Sequence, residues 1–217
     1  MLKVENLKTF NWEGALRGLR NPMNSWAKSD STFDKNGNFI NIGENDLRLM
    51  KTLFKAGTEH RKYLRQIFVS MDITAPLYWI SELDTYKVGT VRNSCSFMHK
   101  GVSKPFEITD FSTHDVLKDG TPTNVKTWKT ILDTLNQLRE EYLHTKDNNI
   151  FQHIRCLLPS GYNLKFTITM NYENVFTIIH QRSGHRLNEW NEFIEVLKTL
   201  PYVQELLSAL DEKETKQ

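Results

Sequence analysis

Hydrophobic residues recur at three- and four-residue steps along much of the chain, which is the spacing of an amphipathic helix. The longest such run predicts one extended helix with apolar positions at Val125, Trp128, Ile131, Leu132, Leu135, Leu138 and Tyr142. Another run predicts a helix that is capped by Asn45 or Asp46 and ends before Gly57. Shorter helices are predicted over residues 149–158, over two consecutive segments after residue 174, and from Pro201 to Leu210.

Two other segments have the alternation of strands. Residues 66–73 (QIFVSMDI) predict a strand that runs into a turn at Thr74-Ala75-Pro76, and residues 164–170 (LKFTITM) predict a second strand. Asp34-Lys35-Asn36-Gly37 is a turn signal that predicts a hairpin or excursion within residues 28–41. The polar segment from Gly89 to Ser96 predicts a loop around a polar ligand, with an ordinary solvated loop as the alternative. The whole pattern predicts a helix-rich α+β fold with a small mixed or antiparallel sheet.

Length and composition narrow the range of functions. The 217 residues, 39% of them hydrophobic, suit a single domain over residues 1–217, with a disordered tail at residues 211–217. Lys and Arg number 28 against 26 Asp and Glu, so the net charge of +2 disfavours nucleic-acid binding. No apolar run approaches the roughly 20 residues of a membrane span, and the N-terminus lacks a secretory pattern. We therefore expect a cytoplasmic protein.

Several well-known types of site are not expected. The chain has no GxGxxG, GxxxxGK[ST], HExxH or GxSxG pattern, so dinucleotide-binding, P-loop, zincin and hydrolase motifs are missing. Its two cysteines, Cys95 and Cys156, form no CxxC, and its 7 histidines lack the paired spacing of metal ligands. We expect free thiols and no metal site.

Two arginines are candidates for an anion site. Arg155 precedes the predicted strand at residues 164–170, and Arg182 lies on the helix after it. If the strand returns the helix beside Arg155, two guanidinium groups converge on one ligand, a geometry that suits phosphate or the edge of a uracil ring. Surface charge or helix capping is the alternative role for either arginine.

The segment RCLLPSGYNLKFTITMNYENVFTIIHQRSGHRLNEWNEF resembles the C-terminal half of the flavin-dependent thymidylate synthases. That family has an Arg-x-x-Leu-Pro turn, a strand that ends in Asn, and a helix with an Arg before an Ala-Gln-Trp-Glu-like stretch. Arg155, Asn171 and Arg182 match this pattern without a gap.

Upstream, DITAPLYWISELDTYKVGTVRNSCSFMH is similar to the same family's signature, Arg-His-Arg-x-x-Ser-x-Asn-Glu-x-Ser-x-Arg. One register places Thr85, Tyr86 and Lys87 at Arg-His-Arg, with Arg92 at the Asn and Cys95 at the second Ser. The other register is shifted by one residue and places Asn93 and Ser96 at the Asn and the second Ser. The signature's Glu and final Arg are missing in both registers. The likeness extends over roughly Thr58 to Leu197.

The resemblance implies a homotetramer with active sites between subunits and a reductive methylation at C5 of dUMP. Its cofactor would be FAD, with NADPH and methylenetetrahydrofolate as co-substrates. It implies nucleotide binding by Arg155 and Arg182, supported by Lys87, Arg92, Asn93 and Ser96, and flavin contacts from Asn171, Arg186 and His60. No catalytic residue is assigned. Lys87 and Arg92 stand in for part of the charge lost with the signature's arginines, but a lysine lacks the guanidinium fork.

Other readings stay open. The chain could be a non-catalytic descendant that binds a nucleotide or a partner and has lost the flavin, as the missing signature residues favour. Cys95 could be a nucleophile, although no His or Asp partner is recognisable near it in the sequence. Glu82 and Asp84 could form an acid/base pair on a strand. A nucleic-acid-binding protein is the weakest alternative because the charge is nearly balanced.

Overall fold

The computed structural model describes residues 2–113 and 122–214. Within these ranges a four-stranded sheet contains β1 (Lys3–Phe10), β4 (Phe68–Pro76), β6 (Asn163–Asn171) and β5 (Val91–Ser94), in that spatial order. A separate antiparallel hairpin pairs β2 (Thr32–Phe33) with β3 (Phe39–Asn41). The hairpin confirms the excursion predicted from the Asp34–Gly37 turn, where Gly37 has a φ of 77°.

The helices of the described ranges are α1 (Trp12–Arg20), α2 (Glu44–Lys55), α3 (Leu77–Leu83), α4 (Phe97–Lys100), α5 (Pro122–Thr145), α6 (Asn148–Leu157), α7 (Tyr172–Arg182), α8 (Asn188–Lys198) and α9 (Val203–Glu214). The α+β class and the predicted helices that correspond to α2 and α5 to α9 are confirmed. None of the described helices is both long enough and apolar enough to span a membrane. Of the tail predicted to be disordered, residues 211–214 belong to α9, and residues 215–217 lie outside the described residues.

The chain divides into two compact units. Of the described residues, the first unit contains 2–3, 73–85, 93–113 and 122–167, and the second contains 4–72, 86–92 and 168–214. The core of the first unit is an aromatic and aliphatic cluster of Val102, Phe106, Phe111, Leu135, Phe151 and Ile154. The expectation of a single domain over residues 1–217 stays a prediction.

The core of the second unit contains most of the large aromatic side chains. Trp12, Tyr63, Tyr172 and Trp190 are each at most 2% exposed. Each buried tyrosine hydroxyl donates to a main-chain carbonyl, Tyr63 to Met50 at 3.0 Å and Tyr172 to Pro201 at 3.1 Å. Burial raises the pKa of both tyrosines far above the usual value, so they stay neutral donors. These bonds fix the positions of α2 and α7 within this unit.

The start of α2 differs from the prediction that Asn45 or Asp46 caps it. The Asp30 carboxylate, from the segment before β2, accepts from the main-chain N–H of Asn45 at 2.9 Å and of Asp46 at 3.1 Å. A Cβ on Gly43 would lie 2.1 Å from Cγ of Asp30, so only glycine fits beside this cap. The prediction was wrong because the cap comes from a distant segment rather than from the first helical residues.

Asp46 is instead a buried acceptor. Its side chain is 0% exposed and accepts from Nε of Arg20 at 2.5 Å and from the hydroxyls of Ser29 and Ser31 at 2.7 and 2.6 Å. Burial opposes the charge, but the hydrogen bonds from Ser31, Ser29 and Arg20 outweigh burial and hold the pKa of Asp46 below its usual value. This cluster links α1, the excursion and α2.

Two further sequence predictions are corrected near the sheet. The strand predicted to run into a turn at Thr74-Ala75-Pro76 continues through Pro76 as β4 and passes directly into α3. Its buried positions, Val69, Met71, Ile73 and Ala75, alternate as a half-buried strand requires. Part of the segment predicted as a loop, Val91–Ser94, is the strand β5. β5 lies at the edge of the sheet, pairs with a neighbour on one side only, and has no fully buried residue, so short polar side chains are tolerated there.

Candidate functional site

Arg182, in the last turn of α7, lies in a cage of aromatic and imidazole rings. Its guanidinium carbon is 4.6 Å from the ring centroid of Trp190 and 5.6 Å from that of Tyr86. Its Nε donates to the Tyr86 hydroxyl at 2.9 Å, and its Nη1 is 3.2 Å from Nε2 of His185. Such contacts favour a fixed guanidinium plane, and a fixed plane suits bidentate recognition of an anion or a carbonyl edge.

The residues of this cage are positioned by the core of the second unit. Trp190 is 0% exposed and anchors α8, while Tyr86 packs edge-on against it with the centroids 6.0 Å apart. The main-chain N–H of Leu187 lies 3.2 Å from Nδ1 of His185. A neutral imidazole accepts at only one ring nitrogen, so His185 accepts from Leu187 or from Arg182 but not from both. Whether Nε2 of His185 accepts from Arg182 therefore depends on which ring nitrogen of the imidazole carries the proton.

The loop Tyr86–Arg92 lies against the N-terminus of α7. Nδ2 of Asn174 donates to the Val88 carbonyl at 2.7 Å. Gly89 has a φ of 81°, and a Cβ placed on it would lie 2.5 Å from Nδ2 of Asn171. Within the loop, the Thr90 hydroxyl donates to the Tyr86 carbonyl at 2.6 Å. We call this arrangement the α7 latch.

Asn171, predicted to contact a flavin, is the N-cap of α7. Its side-chain oxygen accepts from the N–H of Asn174 at 3.0 Å, and the Asn174 side chain accepts from the N–H of Asn171 at 3.3 Å. This capping box and the cover provided by Gly89 leave Asn171 only 8% exposed. The other predicted flavin contacts, His60 and Arg186, are exposed.

Gly89 encloses Asn171, whereas His60 and Arg186 are exposed, and the flavin contacts assigned to these three residues stay a prediction. Among residues 2–113 and 122–214, no group of three or more His, Cys, Asp or Glu side chains is placed to hold a metal ion.

Arg155 lies in the first unit, in the last turn of α6, and is exposed. Its guanidinium carbon is 5.5 Å from the ring centroid of Phe97. Phe97 in turn packs near Phe106, Phe151 and Tyr162. Each of the two predicted arginines thus lies over an aromatic ring of its own unit, and their convergence on one ligand stays a prediction.

The supporting residues predicted for the nucleotide lie on and around β5. Lys87 is exposed in the loop of the α7 latch, and Arg92 is half-buried on β5. Asn93 is exposed on the same strand, and Ser96 is half-buried at the N-cap of α4. Between them, the N–H of Cys95 donates to the Lys165 carbonyl at 2.9 Å. The structure leaves both registers of the signature open.

The sequence predicted no contact to Arg182 for three residues of its cage, although one register placed Tyr86 within the signature's Arg-His-Arg positions. Two of them could have been noticed, because His185 and Trp190 follow Arg182 within the same short segment. Tyr86 lies 96 positions earlier, and nothing in its local pattern predicts the contact.

No protein-family model matches the chain, and no curated protein matches it by sequence. Its structure is similar to thymidylate synthase X from Helicobacter pylori with FAD and dUMP, with a TM-score of 0.69 at 16% identity over 97% of this chain and 99% of that one. This protein has the thymidylate synthase X fold.

Two more solved structures agree with this fold. A second Helicobacter pylori thymidylate synthase X, complexed with FAD and dUMP, gives a TM-score of 0.64 at 16% identity and covers 92% of this chain and 94% of that one. The UMP/dUMP methylase PolB from Streptomyces cacaoi, bound with 5-Br dUMP, gives 0.63 at 14% identity over 96% and 95%. The thymidylate synthase X fold expected from the C-terminal motifs is therefore confirmed over nearly the whole chain.

Proposed function

We propose that this protein binds a pyrimidine nucleotide of the dUMP type and modifies the ring at C5. Arg182 carries the proposal, because its guanidinium is held against Tyr86 and Trp190 at the end of α7. The similar solved structures support it, since they are two thymidylate synthases with dUMP and a UMP/dUMP methylase with 5-Br dUMP.

In this proposal Arg182 donates to the phosphate or to a carbonyl of the uracil ring. Tyr86 keeps the guanidinium plane in place, and His185 supplies a nitrogen that accepts or donates according to its tautomer. Arg155 is the second guanidinium for the same nucleotide, with Lys87, Arg92, Asn93 and Ser96 in support. A charge-assisted hydrogen bond from either arginine contributes about 1.5–3 kcal/mol.

Reductive methylation is the reaction that the resemblance implies. It needs a hydride and a one-carbon unit that side chains do not supply, so FAD, NADPH and methylenetetrahydrofolate are part of the proposal, as is a homotetramer. Asn171, Arg186 and His60 remain the residues proposed for the flavin. Asn171 becomes accessible only if the α7 latch opens, because Gly89 covers it.

A specific observation favours a second candidate, a nucleotide-binding protein without flavin chemistry. The side-chain oxygen of Asn171 is used in the capping box of α7, and the residue is only 8% exposed. The signature's Glu and final Arg are also missing in both registers of the sequence. A protein that retained the nucleotide site and lost the flavin would show both features.

The nucleotide site is tested by titrating dUMP into the parent, Arg182→Ala, Arg182→Lys and the control Arg17→Ala, which removes an exposed cation from α1. We expect Arg182→Ala to weaken binding at least about 100-fold, because two charge-assisted bonds are lost. Arg182→Lys should retain part of the affinity, since it keeps the charge without the fork. Thermal unfolding of each variant should give a cooperative transition, which shows that the variant is folded. If folded Arg182→Ala bound dUMP as tightly as the parent, the site would be wrong.

A separate measurement distinguishes the enzyme from the second candidate. Flavin absorbance at about 450 nm after reconstitution with FAD, together with tritium release from C5-labelled dUMP, supports the enzyme. Nucleotide binding without either signal supports the flavin-free protein.

A further inference from the structure

The loop Tyr86–Arg92 begins at the half-buried ring of Tyr86, and the residues after that ring bury little apolar surface. The side chains of Val88 and Val91 are 88% and 74% exposed, and Lys87 and Gly89 are exposed as well. A segment that buries so little apolar surface opens at a low free-energy cost unless polar contacts hold it. The position of this loop therefore depends on its hydrogen bonds.

Side-chain hydrogen bonds give the loop its shape and its place. The Thr90 hydroxyl donates to the Tyr86 carbonyl at 2.6 Å and closes the loop on itself. Nδ2 of Asn174 donates to the Val88 carbonyl at 2.7 Å and joins the loop to α7. The first turn of α7 is a firm support, because Tyr172 in the same turn is 0% exposed. The bond from Asn174 therefore attaches a weakly packed loop to a rigid part of the core.

The loop connects the two ends of α7. Asn174 and Arg182 are eight positions apart on the helix, which is about 12 Å along its axis. The Val88 carbonyl lies at the Asn174 end, and the Tyr86 hydroxyl accepts from Nε of Arg182 at 2.9 Å at the other end. The two residue steps from Val88 to Tyr86 span at most about 7 Å, and the long side chains of Tyr86 and Arg182 span the rest. A bond at the first turn of α7 therefore sets the position of a hydroxyl beside its last turn.

The guanidinium of Arg182 contacts one fixed ring and one ring that the loop carries. The Trp190 ring, with its centroid 4.6 Å from the guanidinium carbon, is 0% exposed and fixed in α8. The Tyr86 ring, with its centroid at 5.6 Å, belongs to the loop. Bidentate recognition of a phosphate or a carbonyl edge depends on the plane of the guanidinium. If the loop lost its attachment, the Trp190 contact would stay and the contacts to Tyr86 would be released.

We propose that Asn174 is a positioning residue for the nucleotide site and acts on Arg182 through the α7 latch. The action passes through the Val88 carbonyl and the Tyr86 hydroxyl, all within the second unit. This inference rests on the proposed nucleotide function for its ligand, and Asn174 itself does not touch the nucleotide. Capping of α7 is the competing role, since the Asn174 side chain also accepts from the N–H of Asn171 at 3.3 Å.

Asn174→Asp separates the two roles. The carboxylate keeps an oxygen that accepts from the N–H of Asn171, and a negative charge in the first turn stabilises a helix, so α7 stays capped. It has no N–H to donate to the Val88 carbonyl, so the latch bond is lost. We expect dUMP affinity to fall about fivefold, because the hydrogen bond from Arg182 to Tyr86 is released. The control Asn148→Asp adds the same charge in the first turn of α6 and should bind dUMP as the parent does.

A double-mutant cycle with Tyr86→Ala tests the path of this action. If Asn174 acts through Tyr86, Asn174→Asp should change dUMP affinity less than about twofold once the Tyr86 ring is gone. Repulsion between the new carboxylate and the nucleotide phosphate would instead persist in the Tyr86→Ala background. An equal loss of affinity in both backgrounds would therefore overturn the proposal, as would parent-like affinity in Asn174→Asp that unfolds cooperatively.

A signal that needs no nucleotide distinguishes a failure of this proposal from a failure of the nucleotide function. Exchange of the Arg182 Nε–H proton with water, followed by NMR, reports the hydrogen bond to Tyr86. We expect this exchange to be several times faster in Asn174→Asp and in Tyr86→Phe than in the parent. Parent-like protection in Asn174→Asp would refute the positioning role even if dUMP binds at Arg182. Faster exchange in a protein that does not bind dUMP would overturn the nucleotide function alone and support the action of Asn174 on Arg182.

Discussion

Nδ2 of Asn174 donates to the carbonyl of Val88, 86 positions earlier in the chain, at 2.7 Å. This bond holds the loop Tyr86–Arg92 on the N-terminus of α7, where Gly89 covers Asn171. The same loop contributes Tyr86 to the Arg182 cage. The loop therefore connects the proposed nucleotide contact with the residue proposed for the flavin.

Replacing Asn174 with Ala should open the α7 latch. The variant loses the bond to Val88 and half of the capping box, a combined cost of about 1–2 kcal/mol. Hydrogen exchange of the amides of residues 86–92 should then be several times faster than in the parent. Asn148→Ala, an exposed asparagine in the first turn of α6, is the matched control. Unchanged exchange in residues 86–92 would show that the bond does not hold the loop.

Gly89→Ala should perturb the latch through contact as well as backbone strain. Gly57 provides the comparison, because its φ is 104° and a Cβ on it meets nothing within 4 Å. Gly57→Ala therefore reports the cost of a positive φ, about 1–2 kcal/mol. Gly89→Ala adds a Cβ that would lie 2.5 Å from Nδ2 of Asn171. Chemical unfolding should give the larger loss of stability for Gly89→Ala, and equal losses would argue against close packing in the latch.

Tyr86→Phe tests the cage without removing its ring. The change deletes the hydroxyl that accepts from Nε of Arg182 but keeps the aromatic face beside the guanidinium. We expect dUMP affinity to fall by a factor of about 5, because one hydrogen bond of about 1 kcal/mol is lost. Tyr86→Ala should lower it further. Calorimetric titration of the two variants measures the difference, and an unchanged affinity in Tyr86→Ala would exclude a positioning role for Tyr86.

Asp46 makes stability depend on pH in the acidic range. Its folded pKa is lowered, so its contribution is fully present above the unfolded value near 3.8 and is lost as the pH falls through the folded pKa. The free energy of unfolding of the parent should decline as the pH is lowered below about 4. Asp46→Asn should lack this part of the decline and be less stable at pH 7 by about 3–5 kcal/mol, because Arg20 stays buried without its anion.

Unfolding curves at several pH values measure this dependence. Glu195→Gln, which removes an exposed carboxylate, serves as the control and should follow the parent. If Asp46→Asn retained the full acid dependence of the parent, the pH effect would belong to other carboxylates.

Hydrophobic spacing predicted the helices whose apolar face is continuous, such as α5, and the alternating strand β6. It missed α1, since Gly14 and Gly18 look like helix breakers in the sequence. In the structure these glycines make room for other side chains: Cβ atoms on them would lie 2.4 Å from Asn11 and from Gln66. It also missed β1, where Asn6 has a φ of 54° and the burial pattern contains no fully buried residue.

The candidate sites were likewise predictable only where their residues lie close together in the sequence. The motif that contains Arg182 is local, so the residue could be selected from the sequence, and the family resemblance led to the correct fold. Asn174 and Val88 lie 86 positions apart, and neither looks like a site residue in its own segment. Only tertiary packing shows that a hydrogen bond joins them and that the same loop brings Tyr86 to Arg182.

The excursion that carries β2 and β3 supplies Asp30 to the N-terminus of α2 and Ser29 and Ser31 to Asp46. Trimming residues 29–41 to a short linker would uncap a core helix and strip an internal carboxylate of its hydroxyl donors. A smaller version of this molecule should therefore be made by shortening another segment, because this surface excursion stabilises α2 and the buried Asp46.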